Sequence, residues 1–327
     1  MIQLLQEILQ RINDDDKVGS SNIIEKIKSE LQQHDVDMYN EWKNNGFDIN
    51  ANSFDGSNLL CLVSGSGYIE LAKLLIEKGA NVNAQDNGGK TPLHLAVSSS
   101  NLDIIGVPIF IRRLIDGEDE NVNLQDNIVE ILIAKGANIN IQDNEGKTPL
   151  HLAVSNSSLG AEGIAIVVET LIGRDAKVDI QDNEGKTPLH LAVSNLDLPN
   201  IFAALSLIIG GANVNIQDNE GKTPLHLAVS NSEFPNLEVI LSLIEKGANV
   251  NTQDNEGRTP LDYAISSGKE ELIKILTDKT LLSDEGQVSL EQEVEISLDD
   301  QYEDAFLYCF SSDEYREVPL ESAAALI

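Results

Sequence analysis

Four histidines, His94, His151, His190 and His226, hold one position of a recurring phrase, Thr-Pro-Leu-His-Leu-Ala-Val. Imidazoles ligate zinc or relay protons when several converge on one point. These are 36 to 57 residues apart, in successive copies of one unit. Stacked units hold equivalent atoms roughly 10 Å apart, too far to share a metal with bonds of about 2 Å. The spacing predicts a hydrogen-bonding histidine near the start of each unit's first helix. Cys61 takes the same position in an earlier copy, Gly56-Ser57-Asn58-Leu59-Leu60-Cys61, and is expected to be packed rather than reactive. Cys309, in Tyr308-Cys309-Phe310, is isolated. Asp-Asn-Glu-Gly lacks the alternating ligands and terminal glutamate of a calcium loop. The sequence has no phosphate loop, nucleophile elbow or Cys-x-x-Cys pair. No catalytic, metal or cofactor residue is nominated, and the chain is expected not to be an enzyme.

The elements that carry these residues follow from the repeat. The full phrase begins at Thr91, Thr148, Thr187 and Thr223, with a degenerate copy at Thr259. Threonine suits an N-cap, and proline after it occupies N1, where its missing N–H costs nothing. Leucine, alanine and valine then supply an apolar face. A second apolar segment follows, as over Leu237 to Ile244, and ends in a glycine suited to the left-handed C′ position, as at Gly247. A polar stretch such as Asn249 to Gly257 turns into the next unit. Each unit therefore predicts helix, loop, helix and hairpin-like turn.

The Gly-x-Thr-Pro-Leu-His-x-Ala core and the Gly-Ala-x-Val-Asn ending resemble the ankyrin repeat family over roughly residues 35 to 280. The resemblance implies an all-α solenoid of paired antiparallel helices, curved, with hairpin tips and inner helices forming a protein-binding surface. The organisation expected is a helical N-terminal cap with a half repeat over 1–46, about six repeats over 47–280, and an acidic, aromatic-containing tail over 281–327. Met1 to Ile12 either completes the cap or is a free amphipathic helix.

Spacing departs from the family period of about 33. Successive phrase threonines lie 57, 39, 36 and 36 residues apart. The extra residues, 156–163, 195–200 and 231–236, are expected between the two helices, with Leu198 and Phe234 either stapling the second helix or meeting a partner. The 57-residue interval is either an insertion over about 102–127 or a half repeat beginning at Ile128. Both predict interrupted stacking through 128–145. Asp175 replaces a terminal glycine and is expected to be tolerated there.

The 327 residues carry 22 Lys and Arg against 54 Asp and Glu, a net charge of −32. That excludes a simple nucleic-acid binder, which needs a basic surface, and disfavours docking on anionic membranes. No apolar run approaches the roughly 20 residues that span a bilayer, and two cysteines fit a reducing compartment. The tail alone holds 13 acidic residues and one basic residue, Arg316, interleaved with aromatics. It is expected to stay solvated, to fold on a partner, or to act as a secretion signal.

The function expected is a monomeric protein-interaction scaffold in the cytoplasm, with no cofactor. Its near-identical, Asn- and Ile-rich units resemble ankyrin-repeat effectors of host-associated bacteria, which implies delivery into host cytoplasm. The alternative is a polyanionic mimic filling the basic surface of a nucleic-acid-binding protein. Candidate partner-binding residues are the repeated tips (Asn144, Glu145, Lys147; Asn183, Glu184, Lys186; Asn219, Glu220, Lys222), the inserts (Leu198, Phe234) and the tail (Tyr302, Phe306, Tyr308). Identical tips imply recent duplication or a periodic partner.

Overall fold

The computed structural model describes residues 2–15, 17–19, 21–54, 56–99, 127–194, 198–230 and 236–284. The chain divides into two units, Met1–Leu281 and Leu282–Ile327. The described residues are helical, without strands. Three helices open the chain: α1 (Ile2–Asn13), α2 (Ile23–His34) and α3 (Val36–Asn44). Leu5, Ile8, Leu9 and Ile12 recur at helical spacing on α1 and are buried against α2 and α5 (Ile69–Glu77). α1 is thus part of the packed body rather than a free helix. Trp42 of α3 is buried, its Nε1–H donating to the Asp48 carbonyl at 2.9 Å, with Phe47 and Phe54 around it.

Among the described residues six helix pairs follow. The first helices are α4 (Leu59–Gly65), α6 (Pro92–Val97), α8 (Pro149–Val154), α10 (Pro188–Ser194), α12 (Pro224–Ser230) and α14 (Pro260–Ser266). Each packs on the next, forming one continuous layer. Their partners are α5, α7 (Ile128–Ala134), α9 (Gly160–Gly173), α11 (Leu198–Ile209), α13 (Leu237–Glu245) and α15 (Glu270–Asp284). The leucine, alanine and valine of each phrase, as Leu189, Ala192 and Val193, are fully buried. A buried leucine or valine side chain contributes about 1.5–3 kcal/mol, so this layer is the core.

Two of the inserts do not simply lengthen the inter-helix loop, and residues 231–235 of the third lie outside the described residues. Residues 160–163 and 198–200 belong to the second helices, making α9 14 and α11 12 residues long against nine in α5 and α13. Asn156 reaches back instead, donating to the Val97 and Ser99 carbonyls at 2.9 and 3.2 Å. It thereby satisfies the orphan end of α6.

The expected break in stacking at 128–145 is not found. The Asn144 N–H donates to the Gly88 carbonyl at 3.0 Å, and the Asn138 N–H to Asn83 Oδ1 at 2.7 Å. The same bonds join the later units. α7 packs on α6 as its second helix, so the two form one pair and no unit stands between those tips. The extra residues of the 57-residue interval fall between α6 and α7. Segment 102–126 lies outside the described residues.

Asp175 adopts φ +66° where the other units place glycine. A left-handed residue other than glycine costs about 1 kcal/mol. Asp175→Gly is therefore expected to stabilise the chain by about 0.5–1 kcal/mol, read as a rise in the urea midpoint. A lower midpoint would show that the aspartate supports the turn.

Candidate functional site

Four hairpin tips are each built around one buried aspartate. Asp143 Oδ1 accepts from the backbone N–H groups of Glu145 and Lys147, both at 2.9 Å, which closes the turn. Asp182, Asp218 and Asp254 do the same in their own tips. The side chains beyond the turn project outward and pair, Lys147 with Glu145, Lys186 with Glu184 and Lys222 with Glu220, at 2.6–2.7 Å. Those lysine hydrogen bonds hold all three glutamates below their ordinary pKa.

The asparagines behave differently. The Asn183 side-chain amide donates to the Asn144 carbonyl, Asn219 to Asn183, and Asn255 to Asn219, at 2.9–3.0 Å. Their backbone N–H groups donate to the Glu145, Glu184 and Glu220 carbonyls, each at 3.0 Å. Asn144 is bonded likewise to Asn87 and Gly88. A second ladder uses glutamine: Gln142, Gln181 and Gln217 each donate to their own tip and to the next glutamine's carbonyl. A third runs through Asn83 to Asn138 and Asn215 to Asn249. The polar letters of the repeat are thus occupied by stacking, which requires one residue type at each position without any partner. Sequence reading treated the asparagines as candidate contacts and passed over the glutamines, although their strict recurrence was the signal.

The histidines form the seam between units. His190 is fully buried. Its Nε2 lies 3.1 Å from the Lys222 carbonyl, which can only accept, so Nε2 carries the proton. Nδ1 is then free to accept from the Thr187 N–H at 3.2 Å and the Thr187 hydroxyl at 2.8 Å. His94, His151 and His226 reach the Lys147, Lys186 and Arg258 carbonyls in the same way. Burial pushes all four imidazoles below their ordinary pKa, against the opposing pull of those carbonyls and nearby carboxylates. Cys61 stands in for histidine in the first pair, its Sγ 3.6 Å from the Lys90 carbonyl, and burial pushes its thiol up to about 12. In the last pair Asp262 accepts from the Thr259 N–H instead. Among the described residues no group of His, Cys, Asp or Glu is arranged to hold a metal ion, and no helix is long and apolar enough to cross a membrane.

Comparison with known families agrees with this geometry. A model of ankyrin repeats matches three times, over residues 27–107, 120–206 and 199–284, and a single-repeat model matches 88–127. The chain belongs to the ankyrin repeat family. Its relatives include human Rabankyrin-5, 32% identical over 122 residues, covering 32% of this chain and 10% of that protein. Another is the neurogenic locus notch homolog protein 1 of Xenopus laevis, 31% identical over 121 residues, covering 34% and 5%. A putative ankyrin repeat protein, FPV222, of fowlpox virus is 27% identical over 154 residues, covering 43% and 20%. The matches span a fifth or less of each relative. Ankyrin repeats mark the chain as a protein–protein interaction scaffold.

Beside the ankyrin tips, a row of half-buried side chains runs along the first helices. Leu62, Leu95, Leu152, Leu191, Leu227 and Tyr263 occupy one position in the six pairs and are all half-buried. This row was missed in the sequence because each leucine reads as core. Of the candidates named from sequence, Lys222 lies over the ring of Tyr263, the last member of the row. Leu198 begins α11, but its side chain lies outside the described residues, as do Phe234, Tyr302, Phe306 and Tyr308.

Close ankyrin stacking also fixes the glycine of each tip that meets a following one, while Gly257 of the last tip has nothing within 4 Å. Gly185 has φ +77°, and a Cβ there would lie 2.5 Å from Asn219 Oδ1 and 2.7 Å from its backbone nitrogen. Gly247 has φ +87° with nothing within 4 Å. Gly185→Ala is expected to cost more than about 2 kcal/mol and Gly247→Ala about 1 kcal/mol. Equal urea midpoints for the two variants would refute close approach as the constraint.

Proposed function

We propose that this ankyrin array is a monomeric, non-catalytic adaptor that holds a protein partner along the leucine row and at the Glu and Lys tips. The observation that supports it most is the row itself. Six equivalent positions, five leucines and Tyr263, stay only half-buried on one layer, while the polar residues beside them are occupied by stacking. An extended solenoid face of this kind suits an elongated partner. The organisation that accompanies it is a helical cap over 1–46, repeats over 47–280 and a tail over 281–327, whose Tyr302, Phe306 and Tyr308 offer a second contact. The resemblance to effectors of host-associated bacteria supports host cytoplasm as the place where the adaptor acts.

The test is capture from host lysate with the full chain, a tail-less 1–284 chain and a Leu191→Glu, Leu227→Glu variant. Both leucines are half-buried against the core, so helical circular dichroism is checked first, and a folded variant is expected to lose captured proteins. Retention of the same proteins would remove the row from consideration. The net charge of −32 favours a second reading, a polyanion that fills a basic surface. Capture abolished by about 0.3 M salt, yet indifferent to the leucines, would select that reading.

A further inference from the structure

The last tip differs from the others in one chemical respect. Arg258 donates through Nε to Asp254 Oδ2 at 3.3 Å and through Nη2 to Glu256 Oε2 at 2.9 Å. One guanidinium therefore bridges both carboxylates of its tip. Tyr263, packed under Arg258, donates its hydroxyl to the same Asp254 Oδ2 at 2.7 Å. Burial acts against ionisation of Asp254, but these donors and the turn's N–H groups prevail and hold it at about 2.

The equivalent tip at Asp143 lacks both donors. Lysine stands for the arginine and Leu152 for the tyrosine. Lys147 is a point charge bound to Glu145, and it does not reach Asp143 as well. Asp143 is 6% exposed, and its Oδ2 has no hydrogen-bond partner. A buried carboxylate oxygen without a donor is costly, and the Asp254 tip shows what completes it. The next two tips repeat the same residues, Asp182 with Lys186 and Leu191, and Asp218 with Lys222 and Leu227, although among these aspartates the buried oxygen without a donor is that of Asp143.

We propose that the Asp143, Asp182 and Asp218 tips receive arginines of an extended segment of the partner protein, one guanidinium per tip, each bridging the aspartate and glutamate as Arg258 does within the last tip. The proposal rests on the adaptor reading and names its recognition chemistry. A guanidinium presents the fork that two carboxylates require, whereas an ammonium does not. Arginines three residues apart in an extended chain lie about 10 Å apart, the separation of helices packed side by side. The net charge of −32 favours a basic segment.

The test is calorimetric titration of the full chain at 0.15 M salt with three peptides of equal charge. One carries Arg-Gly-Ser-Arg-Gly-Ser-Arg, the second replaces each arginine by lysine, and the third gathers the three arginines together. The spaced arginine peptide is expected to bind about tenfold more tightly than either control. Asp143→Asn keeps the turn's Oδ1 acceptor and removes Oδ2, and it is expected to weaken that peptide about fivefold. Lys147→Arg supplies the guanidinium in cis and is expected to raise the melting temperature while weakening the peptide. Equal binding of the three peptides, no binding by any, or indifference to Asp143→Asn would overturn the proposal. The adaptor reading would survive those results if capture still depended on Leu191 and Leu227.

Discussion

His190→Ala is expected to destabilise the chain by about 4 kcal/mol, a large part of the 5–15 kcal/mol that holds an ordinary domain together. The imidazole is fully buried and meets three groups, the Thr187 N–H, the Thr187 hydroxyl and the Lys222 carbonyl. Truncation leaves the N–H and the carbonyl without partners, at about 1–3 kcal/mol each, and opens a cavity lined by neighbours that cannot fully collapse. The position of the loss matters as much as its size. Contacts in a solenoid are made between neighbours only, and this histidine ties α10 to the tip that precedes α12. Urea unfolding of the variant is expected to split, the units after Lys222 melting before those preceding it. A single transition within about 1 kcal/mol of the unmodified chain would show that the seam carries little. Asp262→Ala is the internal comparison. Asp262 is exposed and bonds only within its own cap, so a smaller loss is expected.

Much of this fold is legible in the sequence because each repeated letter has one local task. Thr91 and Pro92 announce a helix start, and the structure forms the cap there, with the His94 N–H donating to Thr91 Oγ1. Asp175 at a glycine position is legible as a left-handed residue, and it adopts φ +66°. What the sequence hides is every relation between units. Nothing local to Asn183 tells that its amide crosses to Asn144 rather than facing a partner, because the acceptor is 39 residues away. The leucine row is hidden for the opposite reason. Leu189 and Leu191 are one residue type two positions apart, yet Leu189 is fully buried and Leu191 is not. Only the packing of successive first helices decides which of them faces out. The 57-residue interval is ambiguous for the same reason: the signature at Asn121 to Asn127 fits either an insertion or a half repeat, and only the direct bond between Asn144 and Gly88 shows that these two tips are neighbours.

Acid is expected to loosen the array well before its carboxylates titrate. The four seam histidines have folded pKa values depressed from the ordinary 6.5, chiefly by burial. Protonation adds a hydrogen to Nδ1, which then no longer accepts from the threonine N–H. Below pH 6.5 the unfolded chain therefore binds more protons than the folded one, and stability falls as the pH falls. Their contribution is complete above about pH 6.5 and is lost progressively until the folded pKa is reached. The slope approaches about 1.4 kcal/mol per pH unit for each histidine, or roughly 5 kcal/mol per unit for four titrating together. The charges facing them temper the effect. Asp86 and Asp143 at His94, Asp143 and Asp182 at His151, Asp182 and Asp218 at His190, and Asp218 and Asp254 at His226 favour the proton, while Lys90 and Lys147 oppose it at the first two. Self-repulsion at a net charge of −32 works in the opposite direction, since acid lowers it and compaction becomes easier. The sign of the change between pH 7.5 and pH 5.5 therefore decides between the two. A urea midpoint that falls over this range identifies the histidine seams as the acid-sensitive element. A midpoint that holds or rises shows that relief of repulsion outweighs them. Removing one histidine supplies the control, because it should flatten the pH dependence by about a quarter while lowering the midpoint at every pH.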